Sequence, residues 1–138
     1  MNGDLVLAGE PAAFFAAARR VSLATCGDSG EPHVAPVSPV LDLDRVIVAT
    51  DADSAKVRNI LQNPSVALCA DDYDEDWDRL RGVVVFGVAT VIDAGFEWER
   101  DRTLLYEKFP QYPQQAPIEE GATVMLDVRI DRVVTWGF

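Results

Sequence analysis

Short segments rich in β-branched and small residues, joined by turn residues, constrain the fold of this chain more than any other feature. Residues 21–26 alternate in this way, and the Gly-Asp-Ser-Gly stretch at 27–30 has the composition of a hairpin turn. A second turn, at residues 42–45, leads into the apolar segment 46–50. Strands joined by so few residues pair antiparallel, because a parallel pair needs a long crossover connection. The sequence therefore predicts an antiparallel sheet.

Further strands are predicted on both sides of these turns. Residues 32–43 contain three prolines, which cannot donate ladder hydrogen bonds, so this strand is expected to be an edge, bulged or interrupted strand. Residues 83–92 are apolar at both alternating sets, which predicts burial on both faces. We expect a turn at Asp131 and Arg132 between the last two strands. The remaining predicted strands are 66–70, 123–130 and 133–136.

Three short helices are predicted beside the sheet. Residues 10–20 are rich in alanine, with an acidic residue first and arginines last, an order that complements the helix dipole. Residues 55–62 place apolar side chains on one helix face, and residues 96–109 end at a proline. The fold class is therefore mainly β (α+β): one domain over residues 1–138, with six or seven antiparallel strands closed into a barrel and short flanking helices.

The charge balance limits the partners of this protein. Twelve Lys and Arg residues against 23 Asp and Glu give a net charge of −11, which argues against nucleic acid or an anionic membrane surface as a partner. No apolar run reaches the roughly 18 residues of a membrane span. Asp4 stands where a secretory signal carries a cation, and Cys26 and Cys69 lie far apart. We expect a cytoplasmic protein with reduced thiols.

Several catalytic classes are excluded by residue type. His33 is the only histidine, so two-histidine metal sites cannot form, and no G-x-S-x-G motif presents a serine to it. The acidic run from Asp72 to Asp78 has Trp77 where a calcium loop needs glycine, so no metal is predicted. No catalytic residue is identified. Trp77 itself is expected either to cover a barrel end or to serve as a lid or dimer contact at a ligand.

The strongest positive signal lies between residues 49 and 59. A strand ends, capping oxygens follow, and a helix begins that carries Lys56 and Arg58 in its first turns. The free N–H groups of a helix N-terminus attract phosphate, and Ser54 can add a hydroxyl. The two cations lie about 200° apart around the helix, so they can only flank a group at its tip. An ordinary capped helix with solvated cations is the alternative.

Longer stretches of the sequence resemble a known family. VSLATCGDSGEPHVAPVSPV, VIVATDADSAKVRNILQNPSVAL and DDYDEDWDRLRGVVVFGVATVI, within residues 20–137, are similar to the split β-barrel family of pyridoxamine-phosphate-oxidase-like flavin and deazaflavin proteins. The ending VRIDRVVTWGF resembles the final strands of that family. SAKVRN-x₃-NP followed by D-W-x-R-x-R-G most resembles the actinobacterial branch that uses coenzyme F420, an 8-hydroxy-5-deazaflavin.

The resemblance implies a split-barrel homodimer with two cofactor clefts at the subunit interface. It implies that Trp77 reaches the cofactor of the partner subunit, and that Arg79 and Arg81 join Lys56 and Arg58 in a cationic patch for the F420 tail. The phosphate would lie near Ser54, Lys56, Arg58 and Asn59. The ring system would lie along Pro36, Val37, Ser38, Ala49 and Thr50.

The function implied by the resemblance is hydride transfer from reduced F420 to a small conjugated or heteroaromatic substrate. Three alternatives remain: a protein that carries F420 without turnover, an FMN-dependent flavin reductase of the same fold, and a structural dimer without a cofactor. Oxidation of pyridoxamine phosphate itself is not expected, because the C-terminal TWGF lacks the arginine and histidine that hold that substrate.

Overall fold

The computed structural model describes the backbone of residues 2–4 and 6–138 and the side chains of residues 6–138. The side chain of Asp4, used above in the argument on secretion, lies outside this range. The described helices are α1 (Gly9–Ala17), α2 (Ala55–Gln62), α3 (Phe96–Lys108) and α4 (Tyr112–Gln115), with a 3₁₀ turn at Trp77–Arg79. The strands are β1 (Asn2–Asp4), β2 (Val21–Cys26), β3 (Pro32–Val37), β4 (Val40–Asp42), β5 (Arg45–Asp51), β6 (Ser65–Asp72), β7 (Arg81–Ile92) and β8 (Thr123–Trp136).

These strands form one antiparallel sheet in the order β3-β2-β6-β7-β8-β5-β4, and β1 pairs with β8 beside this path. The two edge strands, β3 and β4, follow each other in the chain and are separated only by Ser38 and Pro39. The sheet curls into an open barrel that is split between these edges. The predicted mainly β split barrel with short helices is therefore confirmed.

One predicted turn is wrong. Asp131 and Arg132 form no turn, because β8 runs unbroken from Thr123 to Trp136. The pairing with β7 shifts by one residue between Phe86 and Gly87, so Asp131 is accommodated as the extra residue of a bulge. Residues 32–43 are interrupted, as predicted: Ser38 and Pro39 separate β3 from β4, and both are edge strands. A fourth helix, α4, was not predicted.

The barrel interior is closed at each end by a helix. Phe15 of α1 joins the interior apolar cluster of the sheet, and Val57 and Ile60 of α2 join it as well. A second cluster lies on the outer face of β5 and β8, where α3 packs Trp98 and Leu105 against the sheet. Helices therefore cover the two barrel ends and one stretch of the outer face.

The predicted burial of residues 83–92 on both faces holds for only one face in the single chain. Val83 and Val85 point into the barrel and are fully buried. Val84 and Phe86 point outward and are half-buried, and Val88 is 45% exposed. Within the described residues, no helix is long and apolar enough to cross a membrane.

Candidate functional site

The N-terminus of α2 is the best-formed candidate for an anion site among the predicted residues. Ser54 is the N-cap, and its Oγ accepts a hydrogen bond from the Val57 N–H at 3.4 Å and another from the Thr50 hydroxyl at 3.4 Å. Ala55 and Lys56 lie in the first turn of α2, so no carbonyl oxygen of the same helix can accept a hydrogen bond from their backbone N–H groups. A phosphate at this tip would meet free amide donors and the Ser54 hydroxyl.

The two cations predicted for this site are placed differently. The guanidinium of Arg58 folds back and donates to the carbonyl oxygen of Asp53. Lys56 has no salt bridge or side-chain hydrogen bond to any residue that the structure describes. Its ammonium is therefore the cation of α2 that is available to an anion, and Arg58 is partly committed to its own chain.

Asn59 anchors α2 to the barrel. Its Nδ2 donates to the buried hydroxyl of Thr25 on β2 at 3.0 Å, and Gln62 Oε1 accepts from the Asp28 N–H at 2.8 Å. A Cβ at Gly27 would lie 2.5 Å from that Gln62 oxygen and 2.9 Å from Asn59 Oδ1. The amide of Asn59, predicted as a cofactor contact, thus already has a protein partner, and glycine at position 27 permits the close packing of helix and hairpin.

The segment predicted to contact the ring follows the free edge of the sheet. Pro36 is exposed and pairs in register with Ser22, whereas Val37 pairs with Val21 and is buried. Ser38 is half-buried and follows directly. In an edge strand, the backbone N–H and C=O groups of every second residue point away from the sheet and have no strand partner. Such groups can hydrogen-bond the carbonyl and nitrogen atoms of a planar heterocycle.

Ala49 and Thr50 lie at the end of β5, next to α2. Both are half-buried, and they line a cavity of about 270 Å³ together with Tyr112 and Ile118. The hydroxyl of Thr50 reaches Ser54, which links this strand end to the anion site. The structure therefore places Thr50 within hydrogen-bond distance of Ser54, the N-cap of the helix that carries Lys56.

Trp77 does not cover a barrel end. It lies in the connection between β6 and β7, 73% exposed, and its indole N–H donates to the hydroxyl of Tyr73 at 3.3 Å. Tyr73 is exposed as well. The connection is ordered by local bonds, such as that from the Asp78 N–H to the Asp76 carboxylate at 3.1 Å. Two large aromatic side chains are thus presented to solvent on a structured loop.

The predicted patch of four cations does not form within one chain. Arg81 follows the β6–β7 connection, and the adjacent Gly82 pairs with Trp136 at the C-terminal end of β8. Asp51, beside α2, pairs with Thr123 at the other end of β8. Arg79 and Arg81 therefore lie at the opposite end of the sheet from Lys56 and Arg58. Spacing along the sequence does not show this, because hairpin topology decides which connections share an end.

Lys108 was not singled out by the sequence analysis. Its Nζ donates to the carbonyl oxygens of Ala18 and Pro39, both at 2.7 Å, and lies 5.2 Å from the ring centroid of Phe109. Burial, and then the charge of Arg19, lowers the pKa of Lys108 to about 8. This lysine ties the end of α3 to the connection between β3 and β4.

A charged cluster between α3 and the sheet was also missed by sequence reasoning. Arg45 donates to Asp127, to Asp42 at 2.6 Å and to Asp101 at 3.5 Å. Arg100 Nε also donates to Asp101 at 3.1 Å. The carboxyl of Asp101 is fully buried, and burial together with the neighbouring Asp127 raises its pKa to about 6. The cluster fixes α3 against β5 and β8.

Comparison with known proteins identifies the family. The sequence profile described as pyridoxamine 5'-phosphate oxidase matches residues 7–137. The chain belongs to the pyridoxamine 5'-phosphate oxidase family. A relative in that comparison, the 5a,11a-dehydrotetracycline/5a,11a-dehydrooxytetracycline reductase of Streptomyces rimosus, is 33% identical over 120 residues. The alignment covers 83% of this chain and 72% of the relative, and it confirms the resemblance seen in the motifs.

Solved structures share the fold of this pyridoxamine 5'-phosphate oxidase family member. HutZ, the heme storage protein from Vibrio cholerae, aligns with a TM-score of 0.80 at 17% identity over 96% of each chain. An F420 reductase aligns with a TM-score of 0.71 at 20% identity, covering 88% of this chain and 94% of that one. At these identities the likeness shows a common fold, while the reductase relative supports an oxidoreductase.

Proposed function

We propose that this protein is a coenzyme F420-dependent reductase of small conjugated substrates. The observation that carries the proposal is the anion site at α2, where Ser54, Lys56 and free helix amides meet at the end of β5. The reductase relative and the F420 reductase with the same fold support the choice of reaction and cofactor. When bound, the reduced deazaflavin supplies a hydride, and we expect solvent to supply the proton that completes the reduction.

The residues present fit a phosphate-bearing tricyclic cofactor. The tip of α2 offers amide, hydroxyl and ammonium donors, which is the donor set that a phosphate needs. The free edge of β3 at Pro36–Ser38 offers backbone groups for the polar edge of the ring. The protein's part would be to hold the cofactor and to exclude water, since the hydride chemistry belongs to the cofactor.

A second copy of this chain would complete the cofactor cleft, which in one chain is bounded by the tip of α2 and the free edge of β3. The outer face of β2, β6 and β7 carries apolar side chains with no helix over them, among them Ala24, Cys69, Val84, Phe86 and Val88. Contiguous apolar surface of this kind marks a site of protein association. We propose that two copies pair through this face, and that Trp77 of the partner subunit then covers the cofactor.

The same cofactor cleft would also suit an FMN-dependent reductase or an F420 carrier. FMN has a similar ring and a phosphate, so the α2 site does not separate it from F420. Arg79 lies in the same 3₁₀ turn as Trp77, is exposed and has no salt bridge to the described residues. We propose that Arg79 of the partner subunit, brought in together with Trp77, meets the anionic tail that F420 has and FMN lacks. A carrier without turnover would bind F420 equally well, and only catalysis separates it from a reductase.

Equilibrium binding tests the proposal directly. Purified protein is titrated with F420, FMN and haemin in parallel, and quenching of tryptophan fluorescence is followed. We expect F420 to bind most tightly, and Lys56→Ala to weaken it by about tenfold or more, as loss of a charge-assisted hydrogen bond does. Arg58→Ala is the matched control on the same helix and should change affinity less, because Arg58 is bonded to Asp53.

The remaining outcomes are also decisive. Preference for FMN would assign an ordinary flavin reductase, and preference for haemin would assign haem binding. F420 binding that is unaffected by Lys56→Ala would overturn the proposed site. Tight F420 binding without oxidation of the reduced cofactor, across a panel of conjugated ketones and quinones, would favour the carrier.

A further inference from the structure

A cleft of about 630 Å³ opens between α1 and the ends of β6 and β7. The α1 wall is formed by side chains three and four residues apart, which share one helix face. Ala13 and Ala17 are small, so this wall is flat. Ala70, at the end of β6, lines the opposite wall. A cleft of this size can hold a ligand of several fused rings.

The base of the cleft is aromatic. The rings of Phe14 and Phe138 meet edge to face with centroids 5.5 Å apart. The guanidinium of Arg81 lies 4.7 Å from the Phe14 centroid and is held by the Asp72 carboxylate at 2.6 Å. Gly137 has φ +84°, and a Cβ at this position would collide with the Leu80 carbonyl oxygen. Glycine at position 137 therefore allows the chain end with Phe138 to pack against the start of β7. Rings and guanidinium favour stacking with another π system.

Arg20 is the cation of the cleft lining that has no partner among the residues the structure describes. Arg19 donates to the Lys108 carbonyl and lies over the Phe109 ring, and Arg81 is paired with Asp72. Arg20 is exposed, and no hydrogen bond or salt bridge joins it to the residues described. The carboxylates of Glu10 and Asp71 also line the cleft. Glu10 lies in the first turn of α1, roughly 10 Å along the helix axis from its C-terminal end, and Arg20 comes after that end.

The cleft lies beside the segment proposed to contact the cofactor ring. Lys108 Nζ is 2.7 Å from the carbonyl oxygens of both Ala18 and Pro39, so the wall of the cleft and the end of the Pro36–Ser38 segment are neighbours. Arg20 directly precedes Val21, which pairs with Val37. A substrate in the cleft would therefore have access to a ring held along Pro36–Ser38.

We propose that this cleft is the substrate pocket, and that it selects a flat conjugated ring system carrying an ionised oxygen. The flat alanine wall and the aromatic base would hold the rings, and Arg20 would hold the charged oxygen by a charge-assisted hydrogen bond. The inference rests on the proposed function for its role in catalysis, while the binding itself can be measured without any cofactor.

The test uses the purified, cofactor-free protein and three probes in isothermal titration calorimetry. The probes are 1-hydroxy-2-naphthoate, which is flat and anionic, 2-methoxynaphthalene, which is flat and neutral, and adamantane-1-carboxylate, which is anionic and not flat. We expect the naphthoate to bind most tightly. Ala17→Phe should fill the cleft and lower its affinity at least tenfold, whereas Ala16→Phe, exposed on the same helix and outside the cleft, should leave it unchanged.

Arg20→Gln, a surface change that spares the core, should weaken the naphthoate about tenfold and leave the neutral probe unaffected. Equal affinity for all three probes, or naphthoate binding that neither Ala17→Phe nor Arg20→Gln alters, would overturn the pocket. Absence of naphthoate binding to the unmodified protein would overturn it too. F420 affinity, measured separately, should be the same in Ala17→Phe. Failure of F420 to bind the unmodified protein would count against the proposed function and leave the probe result standing.

Discussion

Lys108 Nζ lies 2.7 Å from the carbonyl oxygen of Pro39, although 69 residues separate them in the chain. The same ammonium binds the Ala18 carbonyl, so one side chain joins α3, the approach to β2 and the link between the two edge strands. Among the residues that the structure describes, its partners are carbonyl oxygens and the Phe109 ring, and none of them is a carboxylate. The position of the proposed ring-binding segment depends on this contact.

The lowered pKa of Lys108 predicts how stability changes in alkaline solution. Between pH 8 and 10.5 the unfolded chain binds the proton of this lysine more tightly than the folded chain does. The free energy of unfolding should therefore gain a contribution that rises with pH across this window. Lys108→Met should remove that rise in urea unfolding followed at several pH values. Replacing the other lysine of the chain, Lys56→Met, should retain it, and an identical slope in both variants would contradict the prediction.

The raised pKa of Asp101 predicts that, in acid solution, the free energy of unfolding falls as pH rises. Its folded pKa of about 6 lies above the ordinary value of 3.8, so the folded protein holds this proton more tightly. Stability from this group is complete below about pH 4 and is lost as pH rises through 6, amounting to about 3 kcal/mol at most. Asp101→Asn should flatten this part of the pH profile in thermal or urea unfolding. An unchanged slope would show that Asp101 does not cause this pH dependence.

Asn59→Ala should loosen α2. The substitution leaves the Thr25 hydroxyl buried without its partner, which typically costs about 1–3 kcal/mol. The loss is measured by urea unfolding, with the exposed Arg58→Ala on the same helix as control. Ligand binding at Ser54 should also weaken, since the helix tip is held less firmly. Wild-type stability in the Asn59 variant would show that the contact to Thr25 contributes little.

A charge on the uncovered sheet face should break the proposed dimer. Val84→Asp places a carboxylate among half-buried apolar side chains, and burying it against a second copy would be strongly unfavourable. Light scattering after size exclusion should show a dimer for the unmodified protein and a monomer for this variant. Leu61→Asp, on the solvent side of α2 where Leu61 is 72% exposed, is the control that should remain dimeric. A monomeric unmodified protein would contradict the proposed interface.

Local features of this protein could be predicted from sequence because their causes are local. The bounds of α2 agree with the prediction, since Ser54 caps the helix and Asn63 and Pro64 end it. The turn at residues 27–30 likewise joins β2 and β3 as its glycines indicate. The candidate anion site is visible in the sequence for the same reason, because its groups lie within seven residues of each other, from Thr50 to Lys56.

Features that depend on register could not be predicted in this way. Asp131 and Arg132 have the composition of a turn, yet pairing along all of β7 outweighs it, and a bulge absorbs the extra residue. The side chains of β7 that point outward are as apolar as those that point into the barrel. The sequence of β7 therefore does not show that its outward face is uncovered in a single chain. Alternation assigns residues to two faces and leaves open what covers each face.

The sequence by itself determined the antiparallel barrel, the bounds of α2, the turn between β2 and β3 and the family, and it placed the groups of the candidate anion site at α2 close together in the chain. Only the tertiary structure decided that Arg79 and Lys56 lie at opposite ends of the sheet, and that Lys108 bonds Ala18 and Pro39. It alone brought Phe14, Arg81 and Phe138 together. These relations join residues tens of positions apart, so they are set by strand order and by the packing of helices on the barrel.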